Sequence, residues 1–402
     1  MRWRVHGSLA PVCLDPMTAA ELLPHWLRAI ADEVPGLAFF DAHTHTGSGD
    51  PDGFRSSAEE LLASLDPIDA RAVVFTMHEP DGYRAANDRV LAEAAASGGR
   101  LVAFCRLDPH HDPVGEAERC LDAGARGVKL HPRSDAFTLD EAPVRGIFAV
   151  ANERRVPVLI HAGRGIPALG EHALGLADEF PGAKVILAHA AISDLGWIWA
   201  RLPDAPNVLV DTSWWNPADL AALFALVPPG QILFASDAPY GPPSVVALMA
   251  LRFALQAGLT PEQVRAVAGA QIERVLGGEE PADLGPAPGR ERLAPDLLVE
   301  RVSSSLMAGF GRLMAGGAAE EQVALARLAC RVPVDDPSER VLAAVARVLA
   351  GYEDRPPPPG SPRPFDLAAV LPIMLAVVLA RTPDVPAPGV DLGESAASAR
   401  PA

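Results

Sequence analysis

Four short apolar runs in this sequence each end on a side chain that can bind a metal ion. One run leads into His43 and His45, and the other three end at His161, His189 and Asp237. Alternate residues of a β-strand point to the same face, so we expect His43 and His45 to aim at one point. Neutral imidazoles together with a carboxylate suit a divalent metal such as zinc, with one position left open for water. This pattern indicates a metal-dependent enzyme.

The elements that must position these side chains are short apolar runs that alternate with longer helical stretches. The strand candidates are 37–43, 72–77, 101–106, 126–131, 157–161, 184–189, 207–211 and 231–236. Strands that are apolar on both faces and alternate with helices are typical of a parallel sheet. An open doubly wound sheet is the alternative, but a closed barrel gathers residues from the C-terminal ends of all its strands. Because the histidines and Asp237 fall at those ends, we predict a (β/α)8 TIM-like barrel of the α/β class.

Five parts are predicted along the chain. They are an N-terminal extension with one helix (1–36), the barrel (37–277), a linker rich in Gly, Pro and acids (278–292), an all-α C-terminal region (293–381) and a disordered tail (382–402). The C-terminal region contains no histidine. We therefore expect it to pack as a helical appendage that supplies no metal ligand and is separable from catalysis.

Composition limits the kind of partner that this chain can bind. The net charge of −17 over 402 residues argues against nucleic acid, which requires a basic face. The apolar segment 367–380 is shorter than the roughly 20 residues that span a bilayer. No signal peptide is expected, and four scattered cysteines favour the cytoplasm. The predicted partner is a small-molecule substrate, with a carboxylated substrate and a homo-oligomer both left open.

Five stretches resemble the amidohydrolase superfamily, and more narrowly the amidohydrolase-related branch that includes aminocarboxymuconate-semialdehyde decarboxylase. They are Asp41-Ala42-His43-Thr44-His45, Gly127-Val128-Lys129-Leu130-His131-Pro132, Ile160-His161-Ala162-Gly163, Leu187-Ala188-His189 and Ala235-Ser236-Asp237-Ala238-Pro239. The resemblance covers about residues 37–277. It implies that His43, His45, His161 and Asp237 bind one divalent metal, for which zinc is expected. It also implies that His189 acts on the attacking water or polarises the substrate.

The catalytic candidates are Asp237 and His189. A metal-bound water has its pKa lowered towards ~7, and Asp237 could accept its proton with one oxygen while the other binds the metal. Asp211, at the end of another strand, is expected to support a ligand rather than to be one.

The substrate-binding candidates lie at the strand ends or on the loops above them. They are Lys129, His131, Arg133, Arg164, Trp214 and Trp215. Arg133 and Arg164 could hold a carboxylate or phosphate in two parallel hydrogen bonds. The paired tryptophans would form a wall of the pocket.

Lys129 is one of only two lysines among the 34 basic residues. A buried lysine, unlike arginine, can lose its proton. Lys129 could then carry a carbamate that bridges two metals, as in binuclear relatives of the superfamily. The favoured alternative is an unmodified lysine that contacts the substrate or a buried acid.

Three functions remain open on the sequence. The first is a metal-dependent hydrolase that directs an activated water at a C–N or C–O bond of a small metabolite. The second is a non-oxidative decarboxylase on the same scaffold, in which the metal and an arginine hold the substrate. The third is a non-catalytic ligand-binding barrel whose helical region binds a partner.

Overall fold

The computed structural model of this chain describes residues 17–163, 165–294, 296–353 and 366–390. Parallel strands lie at its centre. They are β1 Phe40–Thr46, β2 Arg71–Thr76, β3 Leu101–Ala103, β4 Cys105–Arg106, β5 Val128–Leu130, β6 Pro157–Ile160, β7 Lys184–Leu187, β8 Val208–Asp211 and β9 Ile232–Leu233. The hydrogen-bonded order is β1-β2-β3 and β4-β5-β6-β7-β8-β9. β3 and β4 are halves of one strand interrupted at Phe104, whose amide donates to Val74 of β2.

Backbone hydrogen bonds between the first and last strands close the sheet into a barrel. The amide of Ala42 donates to the carbonyl of Phe234 at 2.9 Å, and that of His45 donates to Ala238 at 2.8 Å. The amide of Asp237 donates to the carbonyl of His43 at 2.9 Å. With β3 and β4 counted as one, eight parallel strands form the barrel. The predicted (β/α)8 fold is confirmed.

Apolar side chains fill the interior of the barrel. Phe40, Phe75 and Phe104 are buried there together with aliphatic residues of the other strands, as expected for a barrel that is a packed core rather than a pore. Gly127 is required by this packing, because a Cβ atom at this position would lie 2.6 Å from the Phe104 ring.

Helices surround the strands. They are α1 Ala19–Glu33, α2 Ala58–Leu65, α3 Arg84–Ala96, α4 Pro113–Asp122, α5 Ala142–Arg154, α6 Leu169–Glu179, α7 Leu195–Ile198, α8 Pro217–Leu226, α9 Pro243–Ala257, α10 Pro261–Arg265 and α11 Gln271–Leu276. Several begin at side chains that accept hydrogen bonds from the free amides of the first turn. Ser57 and Glu60 form such a reciprocal cap at α2, and Thr260 and Gln263 form one at α10.

Four further helices follow the barrel: α12 Leu297–Met314, α13 Glu320–Ala329, α14 Glu339–Val348 and α15 Leu367–Arg381. α15 is apolar on all sides, and its residues Ala369 to Ala380 are buried. It packs on α12 and α14 and also on α1 and α9. The appendage and the barrel therefore share one apolar core. Within the described ranges, no helix is long and apolar enough to cross a membrane.

The segment that follows α15 differs from the prediction of a disordered tail starting at residue 382, because its residues up to 390 pack against the barrel. Arg252 of α9 is fully buried and donates four hydrogen bonds of 2.8–3.1 Å to oxygen atoms of Thr382, Val385 and Pro386. Its guanidinium carbon also lies 5.1 Å from the ring centroid of Trp26 in α1. No periodic pattern reveals this arrangement, since the acceptors are mainly backbone carbonyls. Residues 391–402 lie outside the described ranges.

Arg252→Met tests how strongly these contacts hold the C-terminal segment. The change removes four hydrogen bonds, three of them buried, so we expect the free energy of unfolding to fall by about 3 kcal/mol or more. Chemical denaturation measures this loss. Arg155→Met is the control, because the Arg155 side chain is half exposed and its ion pair should contribute less than about 1 kcal/mol. Equal losses in the two variants would contradict the expectation.

Candidate metal centre and substrate pocket

Three of the predicted metal ligands meet at the seam between β1 and β9. The Nε2 atom of His45 lies 3.2 Å from Nε2 of His43 and 3.0 Å from Oδ1 of Asp237, and the latter two atoms are 3.2 Å apart. Ligands at the corners of a tetrahedron around zinc, each about 2.1 Å from the ion, would be about 3.4 Å apart. His43, His45 and Asp237 are therefore placed as ligands of one divalent ion would be.

Asp211 fixes the orientation and tautomer of His43. Its Oδ2 atom lies 2.9 Å from Nδ1 of His43, so Nδ1–H donates to the carboxylate and Nε2 keeps a lone pair for a metal. The other oxygen, Oδ1, accepts from the amides of His189 and Ser213, each at 2.9 Å, and from the Ser213 hydroxyl at 2.5 Å. Asp211 supports a candidate ligand, in agreement with the expectation from the sequence.

The ionisation of these groups also fits a bound cation. Burial lowers the pKa of His43 and of His45 well below the usual value, so both imidazoles are neutral at pH 7. Burial raises the pKa of Asp237 to about 7, against the opposing charges of His189 and Lys129. Without a metal, the Asp237 carboxyl therefore holds a proton part of the time. A divalent ion would take the place of that proton.

The backbone at Asp237 turns sharply and aims its side chain at the histidines. Its φ angle is 60°, in the left-handed region that aspartate adopts more readily than most residues. Its carbonyl accepts from the amides of Tyr240 and Gly241. Helix α9 begins only at Pro243, so Asp237 does not cap it, and residues 238–242 form a loop between them.

The remaining predicted histidines form a second group beside the first. Nδ1 of His161 lies 2.9 Å from Nε2 of His189, and the rings of His161 and His131 stack with centroids 3.9 Å apart. Nδ1 of His189 donates to the carbonyl of Ser213 at 2.7 Å. Both ring nitrogens of His189 are therefore engaged, and neither is directed at a position for an attacking water.

His161 does not join His43, His45 and Asp237, whereas the resemblance implied a fourth ligand at this position. Its ring is held by the contacts with His131 and His189. Its Nε2 atom is buried without a hydrogen-bond partner among the described residues. This atom faces Gly163, where a Cβ atom would approach to 2.6 Å. The role of His161 as a ligand stays a prediction.

Lys129 is fully buried next to the three ligand atoms. Its Nζ atom lies 3.4 Å from Nε2 of His43 and 4.7 Å from the ring centroid of Phe75. Burial lowers the pKa of this amine to about 7. Lys129 can therefore exist as either amine or ammonium near neutral pH. The favoured prediction of an unmodified lysine and the carbamate alternative are both chemically accessible.

Arg106 is a cavity residue that the sequence analysis missed. It pairs in register with Lys129 across β4 and β5, it is buried, and it donates to Asp135 at 3.1 Å and to the Ser134 hydroxyl at 2.5 Å. The signal was available in the sequence, because Arg106 ends an apolar run in the same way as the histidines do. Two cationic side chains consequently lie side by side at the base of the cavity.

A cavity of about 640 Å3 opens above these groups. Of the substrate-binding candidates, those that line it are Lys129, His131, Arg133, Trp214 and Trp215. Arg164 lies outside the described residues. The base of the cavity is polar, whereas its upper walls are mainly apolar and include residues of α12 and α15. Because residues of α12 and α15 line the cavity, the C-terminal region is not separate from the site.

The family model described as amidohydrolase matches residues 40–278. No curated protein matches the chain. Similar solved structures include a 2,6-dihydroxybenzoate decarboxylase from Rhizobium (16% identity, TM-score 0.49, 60% of this chain and 99% of that one). Another is a 5-carboxyvanillate decarboxylase from Sphingomonas paucimobilis (17% identity, TM-score 0.47, 60% of this chain and 99% of that one). A third is an uncharacterised TIM-barrel protein from Bordetella bronchiseptica (16% identity, TM-score 0.49, 60% of this chain and 99% of that one). At these values the likeness does not indicate a substrate for this chain.

The affinity for a divalent metal should depend on pH through Asp237. Because burial raises the pKa of this carboxyl to about 7, protons compete with the metal below that pH and not above it. We expect affinity to fall by up to about tenfold per pH unit below pH 7 and to level off above it. Protonation of Lys129 acts in the same direction, since an ammonium repels the metal. Competition with a chelator between pH 5.5 and 8.5 measures the profile, and a flat profile would contradict it.

Proposed function

Because the chain belongs to the amidohydrolase family, we propose that it is a metal-dependent enzyme that decarboxylates a small aromatic or unsaturated carboxylic acid without oxidation. The observation that supports this proposal is the polarity of the cavity. Three metal-ligand atoms and the basic side chains of Lys129 and Arg106 lie at its base, under apolar and aromatic walls. The polar base suits a carboxylate, and the walls suit a flat apolar body. When bound, the metal would supply positive charge that holds substrate oxygen atoms and stabilises negative charge.

The chain's own residues can balance this reaction. The bond between the substrate carbon and its carboxylate breaks, carbon dioxide leaves, and the electron pair stays on the carbon, which then takes up a proton. Asp237 is our candidate donor, because its Oδ1 atom lies with the histidine nitrogens while its Oδ2 atom is 4.0 Å from His189, beyond hydrogen-bond distance, and is left to take up and release a proton. Lys129 would stabilise the transient negative charge. Solvent would afterwards return a proton to Asp237.

The apolar walls favour the loss of charge in this step. A carboxylate at the base of a cavity whose walls include Trp214, Trp215 and Phe54 loses part of its hydration, whereas carbon dioxide is neutral and loses little. Release of a neutral product is therefore easier in such a cavity than retention of the anion.

Hydrolysis, the first prediction from the sequence, is the second candidate. It requires a base that takes a proton from water, and His189 is poorly placed because Ser213 and His161 engage its two nitrogens. The Oδ2 atom of Asp237 could accept that proton instead. This one observation keeps hydrolysis as a candidate.

Labelled solvents separate the two reactions. The metal-loaded protein is incubated with hydroxylated aromatic carboxylates, and with lactones and amides, in deuterated or 18O-labelled water. Decarboxylation releases carbon dioxide and places one deuterium on the product carbon. Incorporation of 18O with every carboxylate retained would establish hydrolysis. Turnover of no compound by metal-loaded protein would favour the non-catalytic ligand-binding alternative.

Variants of the two catalytic candidates should differ in effect. Asp237→Asn keeps the shape of the side chain and removes the acid, so we expect kcat to fall about 100-fold or more. His189→Asn should lower kcat less than tenfold if this histidine only supports its neighbours. Each rate is measured with the metal content of the variant determined in parallel. The opposite ranking would assign proton transfer to His189.

We also infer that the metal is one zinc ion per chain and that Lys129 is unmodified. The support is one group of three N and O donors, a set that zinc commonly takes. Metal analysis of the purified protein should give close to one ion, and His43→Ala/His45→Ala should give none. His111→Ala is the matched control, because that side chain is exposed. Two ions per chain, or a need for bicarbonate during reconstitution, would indicate the carbamate instead.

A further inference from the structure

Two helices that lie outside the family match form one wall of the cavity. The wall consists of Phe310 and Met314 from α12 and Leu367, Val370, Leu371 and Met374 from α15. The family match ends at residue 278, so these side chains belong to the chain's own C-terminal region. All six are apolar. We call them the C-terminal wall.

Ring contacts connect the polar base of the cavity to this wall. The ring centroids of His189 and Trp214 are 6.2 Å apart, those of Trp214 and Trp215 are 5.2 Å apart, and those of Trp215 and Phe310 are 5.1 Å apart. The apolar lining therefore runs without a break from the candidate catalytic residues to α12. A ligand bound at the base can extend along it.

Two members of this lining are unusually exposed for large apolar side chains. Trp215 is 39% exposed and Met314 is 38% exposed. Clustered apolar surface in a concave site commonly marks where a ligand binds, whereas single exposed apolar residues do not. Burial of both side chains under a ligand would stabilise its complex.

Packing and an ion pair hold the two helices of the wall together. Residues Ala369 to Ala380 of α15 are buried, and Arg381 at its end forms two hydrogen bonds of 2.7 and 2.8 Å with the carboxylate of Glu300 in α12. Such paired contacts fix the two helices relative to each other. The shape of the wall therefore exists before a ligand binds.

We infer that the C-terminal wall determines specificity and that it binds an apolar alkyl or aryl substituent on the substrate, remote from the reacting carboxylate. The inference rests on the proposed function only in placing the carboxylate at the base, beside Lys129. The polar base and the apolar wall line one cavity and are connected by the ring contacts of Trp214 and Trp215. They would therefore orient an amphipathic acid in a single direction.

A series of para-substituted benzoates tests this inference by binding alone. Benzoate, 4-ethylbenzoate and 4-butylbenzoate are titrated into metal-loaded protein, and calorimetry gives each Kd. Each methylene that enters an apolar site should tighten binding by about threefold to fourfold. Phe310→Ala should reduce the gain in affinity from benzoate to 4-butylbenzoate by tenfold or more. Phe180→Ala, which alters a phenylalanine that packs on Phe148 away from the cavity, should retain the gain.

A second variant covers the case in which Phe310→Ala does not fold. Met314→Gln changes a partly exposed side chain at the rim and should reduce the same gain severalfold. Equal affinity of wild-type protein for the three acids would overturn the inference, as would a folded variant of either residue that retains the full gain. Because the experiment measures binding and not turnover, the gain in affinity can be observed even if the protein decarboxylates none of these acids. The failure of one proposal is thus distinguishable from the failure of the other.

Discussion

The closure of the first strand onto the last is the constraint on which the candidate site depends. His45 and Asp237 are 192 positions apart in sequence, and the hydrogen bonds between β1 and the residues after β9 bring them together. The bond from the Asp237 amide to the His43 carbonyl links two candidate ligands through their backbones. The register of this seam therefore sets the distances among the three donor atoms. A shift by one residue would turn the histidines away from the cavity.

The burial of charged side chains is the second constraint, and the chain meets it by placing an opposite charge or hydrogen-bond donors beside them. Arg106 is neutralised by Asp135, and Asp211 is held by hydrogen bonds from four groups. Lys129 and Asp237 have no such complete compensation, and burial moves the pKa of each towards 7. These two side chains are the ones for which protonation can change at low cost near neutral pH. Groups with this property are those that catalysis can use.

The sequence predicted those features that local pattern determines. Apolar runs that end on His43, His45 and Asp237 gave both the barrel and three ligand candidates, because strand ends converge in a parallel barrel whatever the details of packing. The position of His161 beside His189 depends on side-chain rotation, which spacing does not encode. The C-terminal wall was missed for a related reason. Helical periodicity predicts that α15 is apolar, but not which neighbours its faces contact. Because α15 is apolar on all sides, its sequence does not indicate which face lines the cavity.

The place of α15 in the sequence has a consequence for biosynthesis. The barrel seam can form once residue 238 has left the ribosome, whereas the cavity gains its last lining residue, Met374, more than a hundred residues later. The segment that follows α15 then holds Arg252 and the N-terminal helix α1. During translation, the residues that form the seam and its three donor atoms are thus made well before those that complete the C-terminal wall.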